Sequence, residues 1–268
     1  MDREAHRGDD AENPACRRVL RLRPVLMGLL VTADYSFVRG AVDRIRERMA
    51  AAASRAGRKG SEIELLAVTK FHPVEAVLAA WDAGLRAFGE SRVQEAEAKF
   101  PAFLAAHPLA ALDMIGHIQS NKAKKAITLF SRLQSVDSSE LLMELQKRAS
   151  TAGLRPELLL ELHTGEESKE GFRTADDLYR ALEFLLAVPL PSLELRGLMT
   201  LAPNTGDDKA LRASFRCLRT ALEGARSRFG LQGFDLLSMG MTGDFETAIE
   251  EGSTLVRIGT GIFGGRKP

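Results

Sequence analysis

Short apolar runs alternate with longer amphipathic stretches along most of the chain. Val38, Val42, Ile45 and Met49 recur at spacings of three and four, with Arg44, Arg46, Glu47 and Arg48 between them, which predicts a helix over about 36–57 ended by Gly57 and Gly60. The run Ile63–Val68 that follows is too short for a stable helix and is cut off by Pro73, so it predicts a buried strand that delivers Lys70 at its C-terminal end. The same unit then repeats. Strands are predicted at 86–90, 112–116, 133–137, 157–163, 195–200, 235–238 and 254–259, with helical patterns between them through Ala83, over Val93–Phe100, 121–130, after Ser138, and over 176–187 and 207–229. Eight short strands alternating with helices, with no second run of strands, predict an α/β fold closed into a single (β/α)8 barrel of TIM type. The helix at 36–57 then serves as the eighth, supplied from the N-terminal side. A doubly wound open sheet is the alternative, but such sheets carry a Gly-rich turn after the first strand, and here that turn holds Lys70.

Residues 1–35 break the pattern. A polar, turn-prone stretch around Asp9–Pro14 precedes the basic run Arg17–Arg23 and the short apolar run Val25–Val31, an order that loosely mimics a signal peptide. The acidic residues and the brevity of the apolar run favour a disordered extension, or a true start near Met27, over export. The domain reading is therefore a leader over 1–35 and one barrel domain over 36–268. Across the 268 residues, 37 basic side chains balance 36 acidic ones, so no global field draws in nucleic acid or an anionic membrane, and an anion must meet a local site. The two cysteines, Cys16 and Cys217, form no CxxC, which points to a reducing cytoplasm; the five histidines show no paired metal spacing, so no metal site is expected.

In an α/β barrel the loops after the strands form the working face. Ser238-Met239-Gly240-Met241-Thr242-Gly243-Asp244 and Arg257-Ile258-Gly259-Thr260-Gly261 follow the last two strands, where glycines turn backbone N–H groups toward a ligand and hydroxyls add donors. They read as a phosphate cup, or equally as tight loops. Lys70 opens onto the same face, where partial desolvation near other cations makes a lysine a competent amine nucleophile; as a solvated strand end it would be inert. A lysine and a phosphate cup across one barrel mouth fit pyridoxal 5'-phosphate held as an aldimine, and also a sugar-phosphate aldolase. Arg257 sits in the last strand, an unusual place for a charge, either against the ring nitrogen of such a cofactor or paired with Glu246 or Asp244. Gly165–Phe172 reads as an acidic helix start, Asn121–Lys125 as a solvated helix face, and His72 as a satisfied histidine beside the mouth.

Leu66–Lys70, Phe88–Glu95, Ile115–Lys122, Gly165–Lys169, Arg196–Thr200 and the run from Leu237 to Arg266 together resemble the pyridoxal phosphate homeostasis protein family, in the right order from about Val38 onward. The resemblance implies a single barrel similar to the N-terminal domain of alanine racemase, with pyridoxal phosphate on Lys70, its phosphate held by Ser238, Thr242, Gly259 and Thr260, and Arg257 near the ring nitrogen. It also implies a cytoplasmic monomer that acts in vitamin B6 homeostasis and amino-acid balance without known turnover, with apo forms of pyridoxal phosphate enzymes as partners. The chain departs from the family at Ser91, Leu112-Asp113 and Leu162, positions expected to line or neighbour the mouth. A pyridoxal phosphate-dependent racemase or decarboxylase is the alternative. It needs a second acid or base on the opposite ring face, commonly delivered by an additional β domain absent after Pro268, and Tyr35 and Tyr179 are poorly placed to serve. A cofactor-free phosphate-binding isomerase or aldolase is the third reading.

Overall fold

The computed structural model describes residues 34–165, 171–187 and 191–265. The first helix, α1 (Val38–Arg55), packs outside a barrel whose strands run β1 (Glu64–Val68), β2 (Ala87–Glu90), β3 (Ala111–Met114), β4 (Arg132–Val136), β5 (Glu157–Glu161), β6 (Glu194–Met199), β7 (Leu236–Ser238) and β8 (Leu255–Ile258). All neighbours pair in parallel, and β8 closes on β1 with Glu64 opposite Leu255 and Leu66 opposite Arg257. Between them lie α2 (Val74–Asp82), α3 (Val93–Ala106), α4 (Ala123–Leu129), α5 (Ser139–Ala152), α6 (Ala175–Ala187), α7 (Asp208–Phe229) and α8 (Phe245–Glu250), with the short α9 (Thr260–Phe263) after β8. The closed parallel barrel expected from the pattern is the fold observed. The leader assigned to 1–35 lies, apart from Asp34 and Tyr35, outside the described residues, as does most of the acidic segment after Gly165. Among the described residues no helix is long and apolar enough to cross a membrane.

Strand alternation divides each strand between two cores. Ala67, Phe88, Leu112, Leu133, Leu158, Leu160, Leu198, Leu237 and Val256 face outward into the large layer between sheet and helices. The inward residues make a smaller and mixed filling. On one side Leu66, Val68, Ala87 and Leu255 pack together with Ile115. On the other, Asp113, Gln134, Ser238 and Arg257 are buried polar groups, an unusual content for an interior that barrels of this type commonly fill with branched apolar side chains. Near the N-terminal ends of the strands, Arg132 holds Asp113 at 3.2 Å, Glu64 at 3.0 Å and Glu157 at 2.8 Å.

Helix α3 runs to Ala106, past the Val93–Phe100 pattern expected, and carries Pro101 within it. Proline there removes one backbone N–H from the ladder, at a cost of ~3 kcal/mol in an isolated helix. The aromatic cluster on its inner face offsets that loss: Phe103 packs edge-on against Phe88 at 5.4 Å and Phe100 at 5.8 Å. Gly89, facing inward, has no room for a side chain, since a Cβ there would stand 2.5 Å from the Leu66 side chain. Gly89→Ala is expected to destabilise the fold by about 1–3 kcal/mol through overpacking, read from the urea midpoint at unchanged slope.

Candidate functional site

Period-two alternation places Lys70 on the inward side in line with Leu66 and Val68, so its side chain rises at the C-terminal mouth. The next residue, Phe71, takes a left-handed φ of 67°, costly for a residue with a Cβ. Its conformation is held from below. The Phe71 N–H donates to Glu95 Oε1 at 2.6 Å, and the Lys99 ammonium donates to Glu95 Oε1 at 3.0 Å, Glu90 Oε1 at 2.7 Å and the Thr69 carbonyl at 2.9 Å. Thr69 Oγ1 donates to Glu90 at 2.6 Å. Burial pushes the Glu90 carboxyl above its ordinary pKa, while Lys99 and Thr69 work to lower it. The loop carrying Lys70 is therefore fixed by charge-assisted bonds reaching two strands and a helix.

The loops after β7 and β8 are built as one unit. Gly240 turns at φ 96° where a Cβ would lie 2.6 Å from Ala248 Cβ, so only glycine fits. Asp244 Oδ1 accepts the Met241 N–H at 2.5 Å, the Arg257 N–H donates to the Gly240 carbonyl at 2.9 Å, and the Gly261 N–H donates to Thr242 Oγ1 at 3.2 Å. Because Thr242 Oγ1 accepts that bond, its own hydrogen can point to a ligand. Burial raises the Asp244 carboxyl, with the Met241 N–H and Arg257 opposing.

These parts meet in a cavity of about 440 Å³ at the mouth. Lys70, Thr242, Arg257, Gly259 and Thr260 all line it, with Ser91, Ile115, Glu161, Leu201 and Met241 among the others. Ser238 lies one layer below. It is fully buried, its Oγ accepting from Arg257 Nη1 at 2.6 Å and donating to Gln134 Oε1 at 2.6 Å. The second Arg257 Nη donates to the Thr200 carbonyl at 2.8 Å. Burial brings the Arg257 pKa down to about 10 against the opposing pull of Glu161 and Asp244, which leaves it a cation at neutral pH. Neither bond goes to the acids considered from the sequence, and Glu246 instead pairs with Arg48 at 2.9 Å.

His72 lines the cavity beside Phe263, with ring centroids 5.0 Å apart; burial and then the Lys99 charge hold its pKa below the usual value. Of the three departures, Ser91 lines the cavity, but Leu162 is buried in the outer core and Asp113 lies deep in the interior against Arg132. The mouth expectation fails for Asp113 because it faces inward a layer deeper, and Ile115, just past the end of β3, is the residue that reaches the cavity. Glu161 was missed because the strand expected over 157–163 leaves it in the strand's interior, whereas β5 ends at Glu161 and brings the acid to the cavity. Lys124 and Lys125 are exposed, the latter paired with Glu97 at 2.8 Å. Among the described residues no cluster of three or more His, Cys, Asp or Glu could hold a metal ion.

The donor set suits a flat anionic cofactor. Hydroxyls and glycine backbone from two linked loops stand for a phosphate, a half-buried amine faces the same space, and a fixed guanidinium closes one wall. Residues 41–267 match the family model for the alanine racemase N-terminal domain. A pyridoxal phosphate homeostasis protein from Vibrio cholerae is 38% identical over 228 residues, spanning 84% of this chain and 94% of the relative. The structure of PipY from Synechococcus elongatus with pyridoxal phosphate bound superposes with a TM-score of 0.71 at 36% identity, covering 82% of this chain and all of that one (100%). An alanine racemase from Clostridium difficile shares the fold at a TM-score of 0.66 and 13% identity, over 85% of this chain and 55% of that one.

Proposed function

The chain belongs to the pyridoxal phosphate homeostasis protein family, and from that premise we propose that it binds pyridoxal 5'-phosphate at the barrel mouth as a cytoplasmic, monomeric, non-catalytic carrier in vitamin B6 homeostasis and amino-acid balance. The observation that carries the reading is the shared cavity: Lys70, Arg257 and the hydroxyl- and glycine-bearing loops Thr242-Gly243 and Gly259-Thr260 line one space of about 440 Å³.

When bound, the cofactor supplies an electrophilic aldehyde carbon to which an amine attaches with loss of water. Lys70 is that amine, and the Lys99–Glu95–Phe71 contacts hold its loop in place. Thr242 and Thr260 donate hydroxyls to the phosphate, and Gly259 keeps the wall low enough for its approach. Ser238, one layer below the cavity, acts at the ring end through its bond to Arg257 rather than on the phosphate. Arg257, still cationic, faces the ring and disfavours a proton on the ring nitrogen, so the ring withdraws electrons poorly and the site favours holding over turnover. The racemase and decarboxylase alternative needs an opposing acid or base. Tyr179 donates to the Ala221 carbonyl at 3.2 Å between helices and Tyr35 packs beside Phe37, so neither lines the cavity. Apo forms of pyridoxal phosphate enzymes are the recipients this role requires.

Titration with pyridoxal phosphate is expected to give one lysine-bound chromophore per chain that survives dialysis, with no racemisation or decarboxylation of amino acids by the saturated protein. Sustained turnover would refute the carrier role, and a protein that takes up no cofactor would refute the reading altogether.

A further inference from the structure

The cavity and the N-terminal end of the barrel are joined through the interior by an unbroken row of hydrogen bonds. Arg257 Nη1 donates to Ser238 Oγ at 2.6 Å, Ser238 Oγ donates to Gln134 Oε1 at 2.6 Å, and Gln134 Nε2 donates to Asp113 Oδ2 at 2.5 Å. Its polarity is forced. A guanidinium can only donate, so Ser238 must pass its own hydrogen to the Gln134 carbonyl, and the Gln134 amide must then point its N–H at the carboxylate. Every donor thus runs from a buried cation toward a buried acid, the arrangement in which neutral groups between two charges strengthen one another most. All four side chains are at most 3% exposed, so water does not compete for the links.

We propose that Asp113 is a positioning residue for the cofactor site, setting through Gln134 and Ser238 the orientation and field of the Arg257 guanidinium at the cavity wall. The proposal rests on the binding reading above for its cofactor half only; the relay itself is a property of the chain.

With Asp113 ionised, the acceptor at the end of the row is strong and Arg257 is held toward Ser238. When Asp113 takes a proton, the last acceptor weakens, the Gln134 amide loses its reason to keep one face toward Ser238, and the guanidinium is held less firmly. Its surroundings place that change within reach. Arg132 is the cation facing Asp113 and must serve Glu64 from β1 and Glu157 from β5 as well, and Asp113 Oδ1 has no hydrogen-bond partner among the described residues. Burial, offset in part by Arg132, brings the Asp113 pKa up to about 7. At the other end Arg257 faces Glu161 from β5 and Asp244 from the loop after β7.

The test uses the cofactor-free protein and then the loaded one. The Arg257 Nε–Hε cross-peak, assigned by its loss in Arg257→Lys, is followed by NMR between pH 5.5 and 8.5. In the wild type it should shift with a midpoint near neutrality. In Asp113→Asn, which keeps shape and acceptor but not charge, the shift should vanish, and in Ser238→Ala it should be lost even though Asp113 is intact. Wild-type affinity for pyridoxal phosphate should match that of Asp113→Asn at pH 5.5 and exceed it about fivefold or more at pH 8, a ratio that collapses in a Gln134→Met background. His72 titrates alike in all variants and cancels in the ratio. A cross-peak that titrates identically in Asp113→Asn, or an affinity ratio independent of pH, would overturn the relay. A wild type with the titrating cross-peak but no cofactor binding would leave the relay standing and remove the binding reading instead.

Discussion

Lys70→Ala is expected to lose the lysine-bound absorbance band of pyridoxal phosphate completely while unfolding within about 1 kcal/mol of the wild type. Lys70 is only half-buried, and the groups that shape its loop are others: Glu95 and Lys99 hold the backbone at Phe71, and Thr69 is anchored to Glu90. Removing the amine therefore removes the proposed covalent link and leaves those anchors of the loop in place. If the phosphate is held by Thr242 and Thr260 as proposed, weak, fully dialysable binding should remain. Absorbance titration and urea unfolding of the same preparation separate the two roles, because a structural Lys70 would lose both the band and the stability.

Arg132→Met is the substitution with the largest expected cost to the fold, about 3–5 kcal/mol by urea unfolding. Arg132 is the shared partner of Asp113, Glu64 and Glu157, and burial works against its charge less than those carboxylates support it, so its pKa stands above the ordinary arginine value. Methionine keeps much of the volume and leaves three acids facing one another, one of them fully buried. Asp113→Asn in the same chain should return part of the loss, since it removes the most deeply buried of those charges. Asp113 carries a pH signature. Its folded pKa of about 7 lies above its unfolded value of about 3.8, so the folded state binds the extra proton; the stability linked to that proton is complete below pH about 4 and is lost as pH rises through 7. Asp113→Asn should flatten the stability profile in that window, and an unchanged profile would show that Asp113 is not the group responsible.

The sequence carried the barrel because its strands are short, apolar and evenly separated, and because inward and outward positions alternate without interruption from Leu66 to Lys70. It also carried the mouth: the lysine after β1 and the glycine and threonine loops after β7 and β8 are adjacent by topology once the barrel closes. What stayed hidden depends on contacts across the interior. The pattern over Val93–Phe100 stops short of the helix end because local propensity cannot register the Phe88–Phe103 packing that carries α3 onward. Ser238 read as a loop donor because nothing local reveals that Arg257 and Gln134 both claim its hydroxyl. The resemblance points Asp113 to the mouth, and nothing local corrects it, because Arg132 lies 19 residues away in sequence and across a strand pair.

The most direct test of the account is borohydride reduction of the protein loaded with pyridoxal phosphate, followed by peptide mapping by mass spectrometry. The account predicts a single pyridoxyl adduct on the peptide containing Lys70. An adduct centred on another lysine such as Lys99, or none at all from protein that binds the cofactor, would contradict it.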